Sequence, residues 1–428
     1  MVDENRLFDR LTRLGDVGRT SHGGVSRLAL TDLDRRGLEL IARWMREAGL
    51  QVRMDAAGNL IGRKEGRRPD LPVVLTGSHS DTTQEGGMFD GALGILGGIE
   101  ALQCMNERGL ATDHPIEVCA YRDEEGCRFA ASYSGSRIMT GKHDPDRLSR
   151  TDENGISIAQ ALQAQGIEPE RVGEAARVPG SVKAHVELHI EQGKVLASKG
   201  LPVGIVTGIC ASSRSRIVLT GEAMHAGTTP MSLRRDPMAA AAVIIQAIED
   251  EARRTQSTVA TVGMIRTFPG GVNVIPSKVE FSLDCRDIDV RVRDAVLDRI
   301  VERAKEICEE RTIGFDITIF GRGESKLCSD MVKEPIRRAF QRLNLEAFSL
   351  PSGAGHDSGA YYDFCPMGMI FVRSKDGISH NPAEWSSPED CARGAQVLYH
   401  TLLDLAAAGE DGVDPQAAAP DRKTLLSS

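Results

Sequence analysis

The chain has 428 residues, 41% hydrophobic and 26% charged, enough for two ordinary domains with a substantial buried core. A net charge of −9 and a pI near 5.7 argue against a nucleic-acid partner, and no apolar run approaches the ~18 residues that a membrane span needs. Nine cysteines, irregularly spaced and without a C-x-x-C pair, together with a charged rather than apolar Met1–Arg10, point to reduced thiols in the cytoplasm.

Residues 33–49 carry Leu38, Leu40, Ile41, Trp44 and Met45 at helical spacing, with Gly49 as the stop. Residues 71–77 predict a short apolar strand, with His79 and Asp81 just past its end. A helix over 92–108 packs Leu93, Leu96, Ile99 and Leu102, and its early glycines predict close approach to neighbouring backbone. A strand over 115–121 then ends at the Glu124-Glu125 loop. Strands followed by helices, with polar residues at the strand ends, indicate an α/β sheet whose site lies along its carboxyl edge. From Ser181 to Glu191 the alternation is strict: Val182, Ala184, Val186, Leu188 and Ile190 on one face, Lys183, His185, Glu187, His189 and Glu191 on the other. That pattern predicts a half-buried strand.

The texture changes near residue 210. A strand over 214–220, a helix over 237–254 started by Asp236-Pro237, strands over 258–266 and 278–286, a helix over 288–311 and a strand over 314–320 follow. This β-α-β-β-α-β order is that of a ferredoxin-like insert. Gly321-Arg322-Gly323 marks its exit, and a helix over 330–344 leads into further elements. The expected division is a catalytic domain at 1–209 and 325–428 around an insert at 210–324, with a disordered tail from about Ala408.

Five segments supply the side chains of a paired-metal hydrolase: Gly77-Ser78-His79-Ser80-Asp81, Phe89-Asp90-Gly91, Arg122-Asp123-Glu124-Glu125-Gly126, Leu188-His189-Ile190-Glu191-Gln192-Gly193 and Ile378-Ser379-His380-Asn381. Three imidazoles and two carboxylates can hold two divalent cations. Asp81 is placed to orient His79 by accepting its second N–H. Asp90 reads either as a helix N-cap or as a carboxylate shared by two cations. Of the adjacent acids Glu124 and Glu125, one can bind metal while the other takes a proton from water.

These motifs, with Ser-Gly-Ala-Gly-His-Asp and Gly-Ile-Ser-His-Asn-Pro, resemble those of the N-carbamoyl-L-amino-acid hydrolase, β-ureidopropionase and allantoate amidohydrolase group of aminoacylase and carboxypeptidase-like dinuclear metallohydrolases. The resemblance runs from about residue 5 to 405. It implies His79, Asp90, Glu125, His189 and His380 as ligands, Asp90 bridging, and Glu124 as catalytic acid/base. It further implies that Gln192, His225, Asn273, Arg286 and Gly355 contact substrate. Arg286, on the polar face of its strand, could hold a carboxylate bidentately or pair with Asp284 or Asp287. His225, among glycines, could stabilise an oxyanion, and Asn273 could be a turn residue.

The expectation is therefore an α/β, mixed-sheet dinuclear metallohydrolase with an inserted ferredoxin-like α+β lid and dimerisation domain. Two Zn, Mn, Co or Ni ions would serve hydrolysis of an N-carbamoyl-L-amino acid, a small anionic ureido acid, in a cytoplasmic homodimer. Allantoate and β-ureidopropionate are alternative substrates. A dipeptidase or aminoacylase, and a non-catalytic metal-stabilised binding protein, are more remote.

Overall fold

Strand Val182–Ile190 organises the larger part of the molecule. In the computed structural model, which describes residues 2–407, it lies between strands Val73–His79 and Met367–Val372 and runs parallel to both. Ile116–Tyr121 extends the sheet in parallel beyond Val73–His79, and Leu60–Lys64 and Gln51–Met54 follow antiparallel. On the opposite side Val203–Ile209 pairs antiparallel with Met367–Val372. The sheet is thus mixed, with four adjacent parallel strands at its centre. Helices Glu4–Asp16, Ala92–Glu107, Asp330–Arg342 and Pro388–Ala406 share one apolar core with it.

Helix Ala92–Glu107 lies so close to the sheet that two glycines are required. A Cβ on Gly94 would stand 2.4 Å from the Leu188 carbonyl oxygen. Gly91, with φ +66°, would put one 2.5 Å from the His79 carbonyl oxygen. Gly94→Ala must therefore push helix and sheet apart, a strain of about 1–3 kcal/mol. A lowered denaturant midpoint at unchanged slope is the expected result.

Three sequence expectations need correction. His79 is the last residue of its strand rather than a residue beyond it. Strand Val182–Ile190 is not half-exposed: His185, Glu187 and His189 are as buried as the apolar face. The polar side is roofed by buried partners. His185 stacks on Tyr361 at 4.2 Å and its Nε2 meets the Tyr121 hydroxyl at 3.0 Å, while Glu187 accepts from Ser78 Oγ and the Ser358 amide, both at 2.8 Å. The strand expected over 258–266 is two, Val259–Thr261 and Ile265–Phe268. The ladder breaks where Ser282 Oγ, rather than a carbonyl, accepts the Met264 amide at 3.1 Å.

The chain forms two units: residues through Thr207 with Cys328–Leu350 and the chain from His356, and a second made of Gly208–Leu327 with Pro351–Gly355. Residues 325–327 and 351–355, expected with the catalytic part, belong to the second unit. Backbone bonds fix the latter segment there: the Cys210 amide donates to the Ser352 carbonyl at 2.8 Å. In the second unit the sheet order is Ile265–Phe268, Lys278–Asp287, Ala211–Thr220, Gly314–Arg322, each pair antiparallel. Helices Pro237–Arg253 and Val290–Glu310 close its own core, and Asp236 Oδ1 caps the first by accepting from the Met238 amide at 2.9 Å. Among the described residues no helix is long and apolar enough to cross a membrane, and all nine cysteines are free. The tail predicted disordered from Ala408 lies outside the described residues.

Candidate active site

The four parallel strands end at one edge of the first unit, and each delivers part of a polar cluster there. His79 ends its strand, His189 is the penultimate residue of Val182–Ile190, the Glu124-Glu125 turn follows Ile116–Tyr121, and His380 follows Met367–Val372. Asp90 enters from the turn before helix Ala92–Glu107. It is not an N-cap: Gly91 occupies that position and no side chain caps this helix. Instead Asp90 Oδ1 lies 3.1 Å from His189 Nε2 and 3.4 Å from His79 Nε2, and Oδ2 lies 3.2 Å from His380 Nε2. Glu125 Oε1 stands 3.4 Å from His380 Nε2, and Glu124 Oε2 3.9 Å from His79 Nε2. The two oxygens of Asp90 thus face two ligand groups, His79 with His189 and Glu125 with His380.

The donor set fits divalent cations. His79 Nδ1 donates to the Asp81 carbonyl at 3.0 Å and His189 Nδ1 to the Ile190 carbonyl at 2.9 Å, so the neutral form of each ring turns an Nε2 lone pair inward. Asp81 orients His79 through its main chain; its carboxylate, 3.8 Å from the ring nitrogen, instead accepts the Glu124 and Glu125 amides, each at 3.2 Å. Electrostatics also call for positive charge. Burial, with Asp90 beside it, pushes Glu125 up to about 7; burial, with Asp357 and Glu125, pushes Glu124 well above the ordinary glutamate range. His380 is raised to about 9, chiefly by its bond to Asp90. Buried like charges this close need cations among them. Asp123, Gln192 and His380 all hold left-handed backbone, at φ 53°, 58° and 53°, strain that collects where a site dictates geometry.

Residues 73–404 match Peptidase family M20/M25/M40. The chain belongs to that family. It is 55% identical over 406 residues to an N-carbamoyl-L-amino acid amidohydrolase of Geobacillus stearothermophilus, covering 95% of this chain and 99% of that protein. It is 36% identical to allantoate deiminase 2 of Glycine max, covering 88% of this chain and 84% of that one. A crystal structure of an amidase of the hydantoinase/carbamoylase family from Burkholderia multivorans superposes with a TM-score of 0.89 at 36% identity, over 95% and 98% of the two chains.

Of the substrate contacts expected for this M20-family chain, Gln192 lies among the ligands: its Nε2 donates to Asp90 Oδ2 at 2.7 Å and approaches His380 Nε2 at 3.3 Å. His225, Asn273, Arg286 and Gly355 belong to the second unit. There His225 Nδ1 accepts the Gly227 and Thr228 amides at 3.1 and 3.2 Å, which leaves the ring proton on Nε2 as a donor. Asn273 is a neighbour in the same hairpin, its carbonyl accepting the Ala226 amide at 2.9 Å. Arg286 makes the pairing left open above: Nε and Nη2 fork onto Asp284 at 2.8 and 2.7 Å, and Nη1 donates to the Gly353 carbonyl at 2.6 Å.

Sequence reasoning missed Glu384. Buried beside the candidate ligands, it accepts the Phe89 and Asp90 amides at 3.0 and 3.1 Å through Oε1 and the Ser379 hydroxyl at 2.8 Å through Oε2. Ser379 Oγ also reaches Asp90 Oδ2 at 3.0 Å. Glu384 thus ties the turn of Asp90 to the loop of His380. The available signal was an acid four residues after a candidate ligand and beside Trp385.

Proposed function

We propose that the protein is a metal-dependent amidohydrolase that cleaves the ureido C–N bond of N-carbamoyl-L-amino acids, giving the amino acid, ammonia and carbon dioxide. The observation that carries the reaction class is Asp90 shared between two candidate ligand groups, one buried and one partly exposed, with Glu124 beside them at 3.9 Å from His79. The 55% identical relative supports the substrate class. Allantoate is kept as the second reading because of the allantoate deiminase relative.

His79, Asp90 and His189 would hold one cation, and Asp90, Glu125 and His380 the other, as Zn, Mn, Co or Ni. When bound, such a pair polarises a carbonyl and lets water react at neutral pH. Glu124 takes the proton of the attacking water and returns it to the leaving nitrogen. His225 Nε2–H serves the oxyanion that forms on the carbonyl, and Gln192, Asn273, Gly355 and Arg286 orient the substrate. The second unit, with ferredoxin-like strand order, acts as lid and dimerisation domain. Its edge strand Gly314–Arg322 exposes Ile319 and Phe320, a surface suited to a second copy. The free cysteines fit a cytoplasmic enzyme.

The deciding assay measures ammonia release from an N-carbamoyl-L-amino acid, β-ureidopropionate, allantoate and a dipeptide at equal concentration. Preference for the first is expected, with the L- far ahead of the D-enantiomer. Preference for allantoate moves the assignment within the group, and preference for the dipeptide overturns ureido cleavage. Arg286→Lys keeps the charge but loses the fork, so kcat/KM should fall about ten- to a hundred-fold, the worth of a charge-assisted hydrogen bond of about 1.5–3 kcal/mol. An unchanged kcat/KM would confine Arg286 to its pairing with Asp284.

A further inference from the structure

The two ligand groups that meet at Asp90 are built differently. His79 and His189 stand on strands, deeply buried, and each ring is anchored through Nδ1 to a main-chain carbonyl. His380 stands in the loop between strand Met367–Val372 and helix Pro388–Ala406, on left-handed backbone, with its side chain 48% exposed. Loops move more than the strands they join, and a site holds a cation well only when its ligands are already in place.

The loop doubles back to supply that support. Asn381 turns it: the Asn381 carbonyl accepts the Glu384 amide at 3.0 Å, and its Oδ1 accepts the Ala383 amide at 2.9 Å. Trp385 then pins the returning chain. Its ring stands edge-to-face with Phe8 and with Phe89, both at 5.6 Å, and its carbonyl accepts the Lys375 amide at 2.8 Å. The Glu384 carboxylate is thereby laid against the turn that carries Asp90. Gly87 makes the room: a Cβ there would stand 2.0 Å from Glu384 Oε1 and 2.5 Å from its Cβ, so a side chain at 87 displaces the carboxylate.

Glu384 does not act as a ligand itself, because its oxygens serve protein donors. Oε1 takes the Phe89 and Asp90 amides, and Oε2 takes the Ser379 hydroxyl. These bonds join residues 294 positions apart, Asp90 on one side and the neighbour of His380 on the other. Ser379 Oγ has one proton for two acceptors, Glu384 Oε2 at 2.8 Å and Asp90 Oδ2 at 3.0 Å, so the amide bonds form the fixed part of the clasp.

We propose that Glu384 is a positioning residue for one cation of the pair. It keeps Asp90 Oδ2 and His380 Nε2 in register, so the position made by Asp90, Glu125 and His380 depends on it. The position made by His79, Asp90 and His189 is held by strands and does not. This rests on the paired-cation reading of the site.

The test counts zinc bound to the stripped, full-length protein at a series of buffered free Zn(II) concentrations. The wild type should take two equivalents. Glu384→Ala should keep the first at unchanged affinity and bind the second about 10–100-fold more weakly, the usual cost of losing a group that orients a ligand. Glu384→Gln can still accept the amides and meet the Ser379 hydroxyl, so it should bring the second affinity back near the wild-type value. Gly87→Ala should reproduce the selective loss by displacing the carboxylate. Raising free Zn(II) should return turnover to Glu384→Ala with KM unchanged, which a general loss of structure would not allow. Thermal melting shows whether each variant is folded; should Glu384→Ala not fold, Ser379→Ala decides, with the second equivalent weakened and the first unchanged. Wild-type affinity for the second equivalent, equal weakening of both, or no recovery in Glu384→Gln overturns the role of Glu384 while the paired site stands. A wild type that takes no second equivalent overturns both.

Discussion

Glu124→Gln is expected to lower turnover by at least ~10²-fold while the protein keeps its full metal content, since a positioned acid/base contributes about that much. The geometry selects Glu124 over its neighbour. Glu125 Oε1 faces His380 Nε2 at 3.4 Å, whereas Glu124 Oε2 approaches the cluster only at 3.9 Å, from His79 Nε2. The turn that presents both acids is rigid. Asp81 accepts the two amides, each at 3.2 Å, the Glu124 carbonyl accepts the Tyr133 amide at 2.9 Å, and Asp123 holds φ 53°. Burial raises the Glu124 carboxyl well above the ordinary range, so the carboxylate is a better base than one in water, and the acid it becomes can still give the proton up. Glutamine preserves shape and the amide-held turn but cannot take the proton. Near-normal turnover in the variant, with two metals present by elemental analysis, would assign the proton transfer to another group.

The candidate ligands His79, Glu125 and His189 were legible because they stand at or just past strand ends, and strand ends can be read from where apolar runs stop. Their depth was not. The alternation over 181–191 separates the chemistry of two faces, yet a face of His185, Glu187 and His189 reads as solvated unless its roof is known. The roof over His185 and Glu187 comes from Tyr121, Ser78, Ser358 and Tyr361, distant in sequence and supplying hydrogen bonds and rings. Asp81 shows the same limit at shorter range. The H-x-D spacing brings the residue to His79, but its main chain makes the contact while the carboxylate serves two amides more than forty positions on. Glu384 was invisible for a related reason: its partners are the amides of Phe89 and Asp90, and amides carry no sequence signature. Arg286 was the opposite case, since a strand neighbour two residues away, Asp284, could be named in advance as a competing partner.

Removing the metals should abolish turnover and should also destabilise the fold, with an effect that grows as pH rises. Full activity in protein shown to be metal-free would sink the whole reading. The pH dependence follows from the buried carboxylates. Without cations Glu125 titrates at about 7, pushed up by burial and by Asp90, against about 4.3 for a glutamate in the unfolded chain. Between those values the folded, metal-free protein binds more protons than the unfolded chain, so its stability falls as pH rises from about 4.3 through about 7. Glu384, also raised to about 7 by burial and Asp90, acts in the same direction. Cations supply the positive charge that protons supply at low pH, and they compete with them for the same oxygens and imidazoles. The gap in melting temperature between metal-loaded and chelated protein should therefore be small near pH 5 and widest near pH 8, and returning Zn, Mn or Co should restore both stability and turnover. His189→Ala removes the imidazole 3.1 Å from Asp90 Oδ1 and should narrow the gap by emptying one of the two positions. A gap that is constant with pH, or that shrinks as pH rises, would mean that the cations do not neutralise these carboxylates, and the shared role of Asp90 would have to be given up.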